Sequence, residues 1–150
     1  MRELKFRAWD KVSKQFLWPW PEGFDILGET TCFDLLIDQL KQMRPSVLRL
    51  DLLNDIEITQ YTGLKDKNGT EIYEGDILKY NDYMWNFSAT QIHIGVVRWQ
   101  DWNGAFDCER RMVDGKEVKP EHGLPGIQFK WHAEVIGNIH DNPELLKEIK

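Results

Sequence analysis

At 150 residues the chain has the length of one domain and can bury roughly 70% of its unfolded surface, so folding requires neither a disulfide nor a metal. Its 41% hydrophobic and 29% charged residues are those of an ordinary globular protein, and no apolar run approaches a transmembrane span. A net charge of −6 argues against a surface built mainly to neutralise phosphates, while leaving room for a local basic patch.

Leu4–Trp9 alternates apolar and charged residues, the period of a half-buried strand; Asp10–Lys14 supplies a turn and Gln15–Trp18 a returning strand. Pro19–Gly23 breaks the pattern and places Trp20 in an irregular segment. Thr31 is a good helix N-cap, with Asp34 three residues on in a capping-box-like position. Phe33, Leu36, Ile37 and Leu40 then recur at helical spacing until Arg44-Pro45 ends the run. One face of that helix belongs against a sheet.

From Ser46 onward the pattern returns to β. Val47–Leu50 and Ile56–Tyr61 predict strands, the second with clean alternation. Thr62-Gly63-Leu64 leads into Asp66-Lys67-Asn68-Gly69, where Asn68-Gly69 supplies the positive φ of a tight reversal. Glu71–Tyr73 is a short strand, and Gly75 is expected to mark a bulge or kink before Ile77–Tyr80. Gln91–Trp99 is the next strand, with Asn81–Thr90 before it as a long hairpin loop. Asp114-Gly115 is a turn, Pro120–Gly126 a loop and Glu134–Ile139 the last strand. Asn142 as N-cap and Pro143 at the first helical position open a short closing helix through Glu148.

These elements predict a mainly β (α+β) protein: a bent antiparallel sheet or small Src-homology-3-like barrel from about Val47 to Ile139. An N-terminal hairpin, one packed helix and a short C-terminal helix cover it. The expected division is a hairpin-plus-helix subdomain over 1–46 and a barrel body over 47–150, forming one compact unit.

Three blocks stand out: Lys5–Asp10 (KFRAWD), Gln60–Ile77 (QYTGLKDKNGTEIYEGDI) and Glu134–Leu146 (EVIGNIHDNPELL). Together and in this order they resemble the signature blocks of the YopX family, small proteins typical of phages and prophages in bacteria. Gly63, Asp66, Asn68, Gly69, Tyr73, Glu74, Gly75, Asp76, Gly137, Asn138 and Pro143 carry the pattern. The resemblance implies a mainly β fold and a phage or prophage setting in bacteria, and the N-terminal MRELKFRAWDK, which lacks the apolar region of a signal peptide, adds the expectation of the host cytoplasm. It attaches no established activity and no catalytic residues. Phe16–Gly28 and Asp82–Thr90 match no family pattern, and a member's particular role would reside in such segments.

Candidate chemistry is sparse. Glu71, Glu74 and Asp76 can suggest a cation or acid/base site, since Glu74 and Asp76 would share a strand face; their simpler reading is as turn and strand-edge solvators beside Gly75. His93, His122, His132 and His140 lack zinc-box spacing, which leaves a site assembled from His132, His140 and Asp141 as the remote alternative to unliganded histidines. Cys32 and Cys108 read as free buried thiols, and Cys108 beside a histidine is the one nucleophile pairing on offer. Trp9, Trp99 and Trp131 fit a β core, whereas Trp18, Trp20, Trp85 and Trp102, near loops or turns, are the candidate interaction surface. The basic concentrations Arg2-Lys5-Arg7 and Arg110-Arg111, with Lys116 and Lys119, are interrupted by acids and fit a solvated face.

The leading functional expectation is a non-catalytic phage accessory protein that works through protein–protein contact, as a homo-oligomer and with a host or phage protein, without cofactor, metal or membrane. A nucleic-acid-binding β-barrel module is the first alternative. A metal-dependent hydrolase or nuclease using the Glu71–Asp76 acids is the second.

Overall fold

A computed structural model describes residues 5–17, 32–43, 54–81, 91–125 and 133–147. The strands are β1 (Phe6–Asp10), β2 (Gln15–Leu17), β3 (Ile56–Lys65), β4 (Glu71–Tyr73), β5 (Asp76–Asn81), β6 (Ile92–Gln100), β7 (Ala105–Val113), β8 (Lys116–Pro125) and β9 (Ala133–Asn138). Among the described residues the helix α1 spans Cys32–Met43 and a 3₁₀ turn spans Pro143–Leu146. The protein is mainly β, with two antiparallel sheets, one of them a half-barrel. Contacts divide the chain into two compact units, Lys5–Thr59 and Gln60–Lys150, the latter taking in Met1–Leu4.

In the first unit β1 and β2 form a hairpin with Ala8 opposite Leu17 and Asp10 opposite Gln15. Asp10 is fully buried because its carboxylate builds the turn, accepting from the Val12 N–H at 3.0 Å and the Ser13 hydroxyl at 2.7 Å. β1 also lies beside β3. Ala8, Leu17 and Leu40 make a small core with Ile56 against it, so α1 packs Leu40 onto the hairpin. Trp9 is buried, and its ring meets Phe16 edge-on at 4.9 Å.

The second unit holds the five-stranded sheet, ordered β8-β7-β6-β5-β9, and the pairing of β3 with β4. Its core is Ile72, Leu78, Tyr80, Val97, Phe106, Cys108 and Ala133, with Leu64 and Val135 packed against it. Register shifts at Ile77/Leu78, Ile94/Gly95, Cys108/Glu109 and Arg110/Met112 insert bulges on three of its pairings. Bulges of this kind bend and twist strands, which curls the sheet into a half-barrel. The β7–β8 hairpin turns on Asp114 (φ 48°) and Gly115 (φ 78°) between paired Val113 and Lys116, the two left-handed residues of a type I′ turn.

Several expectations need correction. β3 runs on to Lys65, through Gly63 at φ 83°, where the ladder to β4 shifts register. Gly75 (φ 82°) belongs to the reversal between β4 and β5, not to a strand interior. Pro120 to Pro125, expected as a loop, lies in β8. That strand is the edge of its sheet, where a proline facing outward forfeits no ladder bond. β7 was absent from the predicted elements altogether. The closing helix is a 3₁₀ turn, and Asn142 makes no side-chain cap bond. Val47–Leu50, Thr31 and most of Asn81–Thr90 lie outside the described residues.

Candidate functional site

Two of the three signature blocks, Gln60–Ile77 and Glu134–Leu146, meet within the second unit in a clasp made by the β3–β4 and β4–β5 reversals against β9. In the first reversal the Gly69 N–H donates to the Asp66 carbonyl at 3.1 Å, and Gly69 takes φ 88° to close it. Asp66 is only 3% exposed. One carboxylate oxygen accepts from the Asn68 and Thr70 N–H groups at 2.8 and 2.9 Å, and the other reaches β9 to accept the Val135 N–H at 3.0 Å. Lys67 adds its N–H to the Ala133 carbonyl at 3.1 Å and an ammonium–carboxylate contact of 2.7 Å with Glu134. One edge of the five-stranded sheet is thereby covered by a turn rather than left open.

The second reversal repeats the device. Asp76 is 1% exposed; its carboxylate accepts the Tyr73 N–H at 2.7 Å and the Asn138 side-chain amide at 3.1 Å. Gly75 donates to the Val97 carbonyl at 2.9 Å and accepts from the Ile139 N–H at 3.0 Å. Asn138 accepts the His140 N–H at 3.0 Å, while the Asn142 side chain takes the Asn138 N–H at 3.3 Å. That engagement is why Asn142 fails as a helix cap. It also explains Gly137, since a Cβ there would stand 2.5 Å from the Asn142 Oδ1.

The electrostatics follow from this geometry. Burial by itself raises the Asp66 pKa, but the N–H groups of Val135, Thr70 and Asn68 outweigh it and hold the carboxyl below its usual value. Glu134 is lowered by its hydrogen bond to Lys67, reinforced by the Lys67 charge. Cys108 is pushed well above the ordinary thiol value by burial, with Asp107 and Glu109 adding to it. A thiol held protonated this way is no nucleophile at neutral pH.

The acids singled out from the sequence do not converge on a common point. Glu71 accepts the Tyr73 hydroxyl at 2.9 Å, Glu74 lies 3.4 Å from the Trp99 N–H, and Asp76 serves the Tyr73–Asn138 link. Among the described residues there is no group of three or more His, Cys, Asp or Glu side chains placed to hold a metal ion. Also among them, no helix is long and apolar enough to cross a membrane. His93 is buried and stacks on Tyr80 with ring centroids 5.4 Å apart. The side chains of His122, His132 and Cys32 lie outside the described residues, as do Trp18, Trp20, Trp85 and Trp131. Cys108 is a free, buried thiol.

The β6–β7 hairpin carries what the sequence only half disclosed. Trp102, at its tip, is 70% exposed. Trp99, expected in the core, is 42% exposed, because it sits one pair from the strand ends and covers Phe106 edge-on at 5.1 Å. Glu74 faces the Trp99 backbone and exposed Asp101 stands beside Trp102. The signal available in the sequence was the Trp-x-x-Trp spacing across a predicted strand end.

A family model described as YopX protein matches residues 5–147. The crystal structure of protein EF1440 from Enterococcus faecalis is similar, at 27% identity over 96% of this chain and 98% of that one, with a TM-score of 0.45. No curated protein matches the chain.

Proposed function

The chain belongs to the YopX family, and from that premise we propose that it is a non-catalytic accessory protein of a phage or prophage, acting in the bacterial cytoplasm through protein–protein contacts and as a homo-oligomer. One observation carries this reading. The polar residues of the signature, Asp66, Asp76, Asn138 and Asn142, are spent on backbone and side-chain partners within the fold, while the large apolar surface of Trp99 and Trp102 faces out. The buried carboxylates of Asp66 and Asp76 are engaged in holding backbone and strands in place, with three N–H donors on the first and two on the second. Exposed tryptophans are the side chains most enriched at the centres of protein interfaces.

The test is solution mass by size-exclusion chromatography with light scattering, paired with affinity capture from a prophage-bearing host. A mass that is a multiple of 17.8 kDa supports the reading. A 17.8 kDa species at every concentration, together with no specifically captured protein, overturns it.

A further inference from the structure

We propose that Asn68, in the β3–β4 reversal, is a site of spontaneous covalent modification: with water as co-reactant it converts to aspartate and isoaspartate, and the product loosens the clasp.

Asparagine is a thermolabile residue, and a following glycine exposes it most, because no side chain shields the attacking backbone nitrogen. Two such steps lie in the described turns, Asn68-Gly69 and Asn103-Gly104, and all four residues are exposed. They differ in how the asparagine is held. The Asn103 Oδ1 accepts the Ala105 N–H at 3.1 Å, which fixes that carboxamide. Among the described residues the Asn68 side chain makes no hydrogen bond; the residue is tied through its backbone N–H, which donates to the Asp66 carboxylate at 2.8 Å. Its carboxamide can therefore swing toward the Gly69 nitrogen. That nitrogen is engaged in the turn, its N–H on the Asp66 carbonyl at 3.1 Å. Attack waits for that bond to open, so the folded reversal slows the reaction without blocking it.

The chemistry needs no oxidant or reductant. The Gly69 nitrogen gives its proton to solvent base and bonds to the Asn68 Cγ. The Cγ–Nδ2 bond breaks, ammonia leaves, and a cyclic imide remains. Water then opens the ring. Cleavage at Cγ yields aspartate; cleavage at the main-chain carbonyl yields isoaspartate, whose backbone runs through Cβ and Cγ. The net change consumes water and converts the amide to a carboxylate with loss of ammonia.

Both products act on the clasp. Each places a new carboxylate on the residue whose N–H binds the buried Asp66 carboxylate, and like charges there oppose one another. Isoaspartate also lengthens the main chain by a methylene just before Gly69, which takes the Gly69 N–H out of register with the Asp66 carbonyl. Asp66 is the residue that reaches β9 through the Val135 N–H, so damage at an exposed turn is passed to that strand.

The experiment ages the whole protein in mildly alkaline buffer and follows peptides covering Asn68 and Asn103 by mass spectrometry, with the unaged sample as background. The Asn68 peptide should gain the mass of an amide-to-acid conversion and split into aspartyl and isoaspartyl forms, severalfold faster than the Asn103 peptide converts. Unfolding in urea should bring the two rates together, because the difference between the sites is structural. The urea midpoint of the aged wild type should fall as the modified fraction grows. Asn68→Ser keeps the backbone N–H but cannot form the imide, and its midpoint should hold through the same incubation. Conversion at Asn103 as fast as at Asn68 in the folded protein overturns the proposal. So does a modified fraction with the midpoint of fresh protein, or an equal fall in aged Asn68→Ser.

Discussion

Two reversals in this protein share the same four-residue pattern and end in opposite situations. Asp66-Lys67-Asn68-Gly69 joins β3 to β4, and Asp101-Trp102-Asn103-Gly104 joins β6 to β7. Both close on a left-handed glycine, at φ 88° and 62°. In the first, the Gly69 N–H reaches back three residues to Asp66; in the second, the Gly104 N–H reaches back four, to Gln100. The one-residue difference changes what the aspartate does. Asp66 is buried under three backbone donors, one of them 69 residues away on β9. Asp101 stays in solvent beside Trp102, and Asn103 takes over the side-chain bond within the turn. A turn motif specifies that the chain reverses; the neighbouring strand decides whether its side chains become framework or surface.

The widest gap between the two should appear when each aspartate is removed. Asp66→Ala leaves three backbone N–H groups without their acceptor. At about 1–3 kcal/mol per buried unsatisfied donor, partly relieved by water, a loss of about 3 kcal/mol is expected in urea unfolding. Asp101→Ala should change stability by under about 0.5 kcal/mol. Equal effects at the two sites would break the contrast.

Acid titration sharpens it next. The folded pKa of Asp66 lies below its ordinary 3.8. Between those two values the unfolded chain binds the extra proton, so stability rises with pH there. The contribution is complete above the ordinary carboxylate value and is lost as pH falls through the lowered one. Asp66→Asn should flatten the acid limb of the urea midpoint plotted from pH 5 to 2. An unchanged limb in Asp66→Asn would show that Asp66 does not carry it.

The legible part of this contrast was the local part. Asp66-Lys67-Asn68-Gly69 and Asp114-Gly115 announce reversals through residues whose backbone preferences act over four positions, and both are turns. Strict alternation gave β1 and most of β3 for the same reason. β7 escaped because Arg110 interrupts the alternate positions Phe106, Cys108 and Met112, so the apolar series breaks before it reads as a strand. β8 escaped because its prolines are tolerable only on an edge, and edge status is a property of the assembled sheet. The clasp's members were visible as motif residues; that Asp66 meets Val135 and Asp76 meets Asn138 depends on strand order, which composition does not carry. Trp99 was misplaced for a related reason, since exposure at a strand end is set by where the sheet stops.

A smaller effect tests whether the far side of the clasp works as one piece. In Gly137→Ala the new Cβ would lie 2.5 Å from the Asn142 Oδ1 and 2.9 Å from two of its carbons. Asn142 must swing away and release the Asn138 N–H, for a loss of about 1–2 kcal/mol. Asn142→Ala alone forfeits only that hydrogen bond, and the double variant loses the closest clash, with Oδ1, while keeping the 2.9 Å approach to Cβ, so the two losses should fall short of additive. Additive losses would mean that Gly137 is needed for some reason other than Asn142.

The smallest expected change in stability belongs to Trp102→Ala. Its ring is 70% exposed, so little apolar area returns to water on unfolding, and the turn is held by Gly104 and Asn103 rather than by the indole. The melting temperature should stay within a degree or two of wild type, as for other surface substitutions within about 0.5 kcal/mol. The same change should produce the largest loss of partner binding among the substitutions considered, because truncating an exposed indole removes contact area without disturbing the scaffold. Asp66→Ala should do the reverse at a temperature where it remains folded, binding nearly as well while melting far earlier. If instead the two variants lose stability and binding in the same proportion, the hairpin tip is part of the framework, and the division between a clasp that holds the fold and a tip that meets a partner falls.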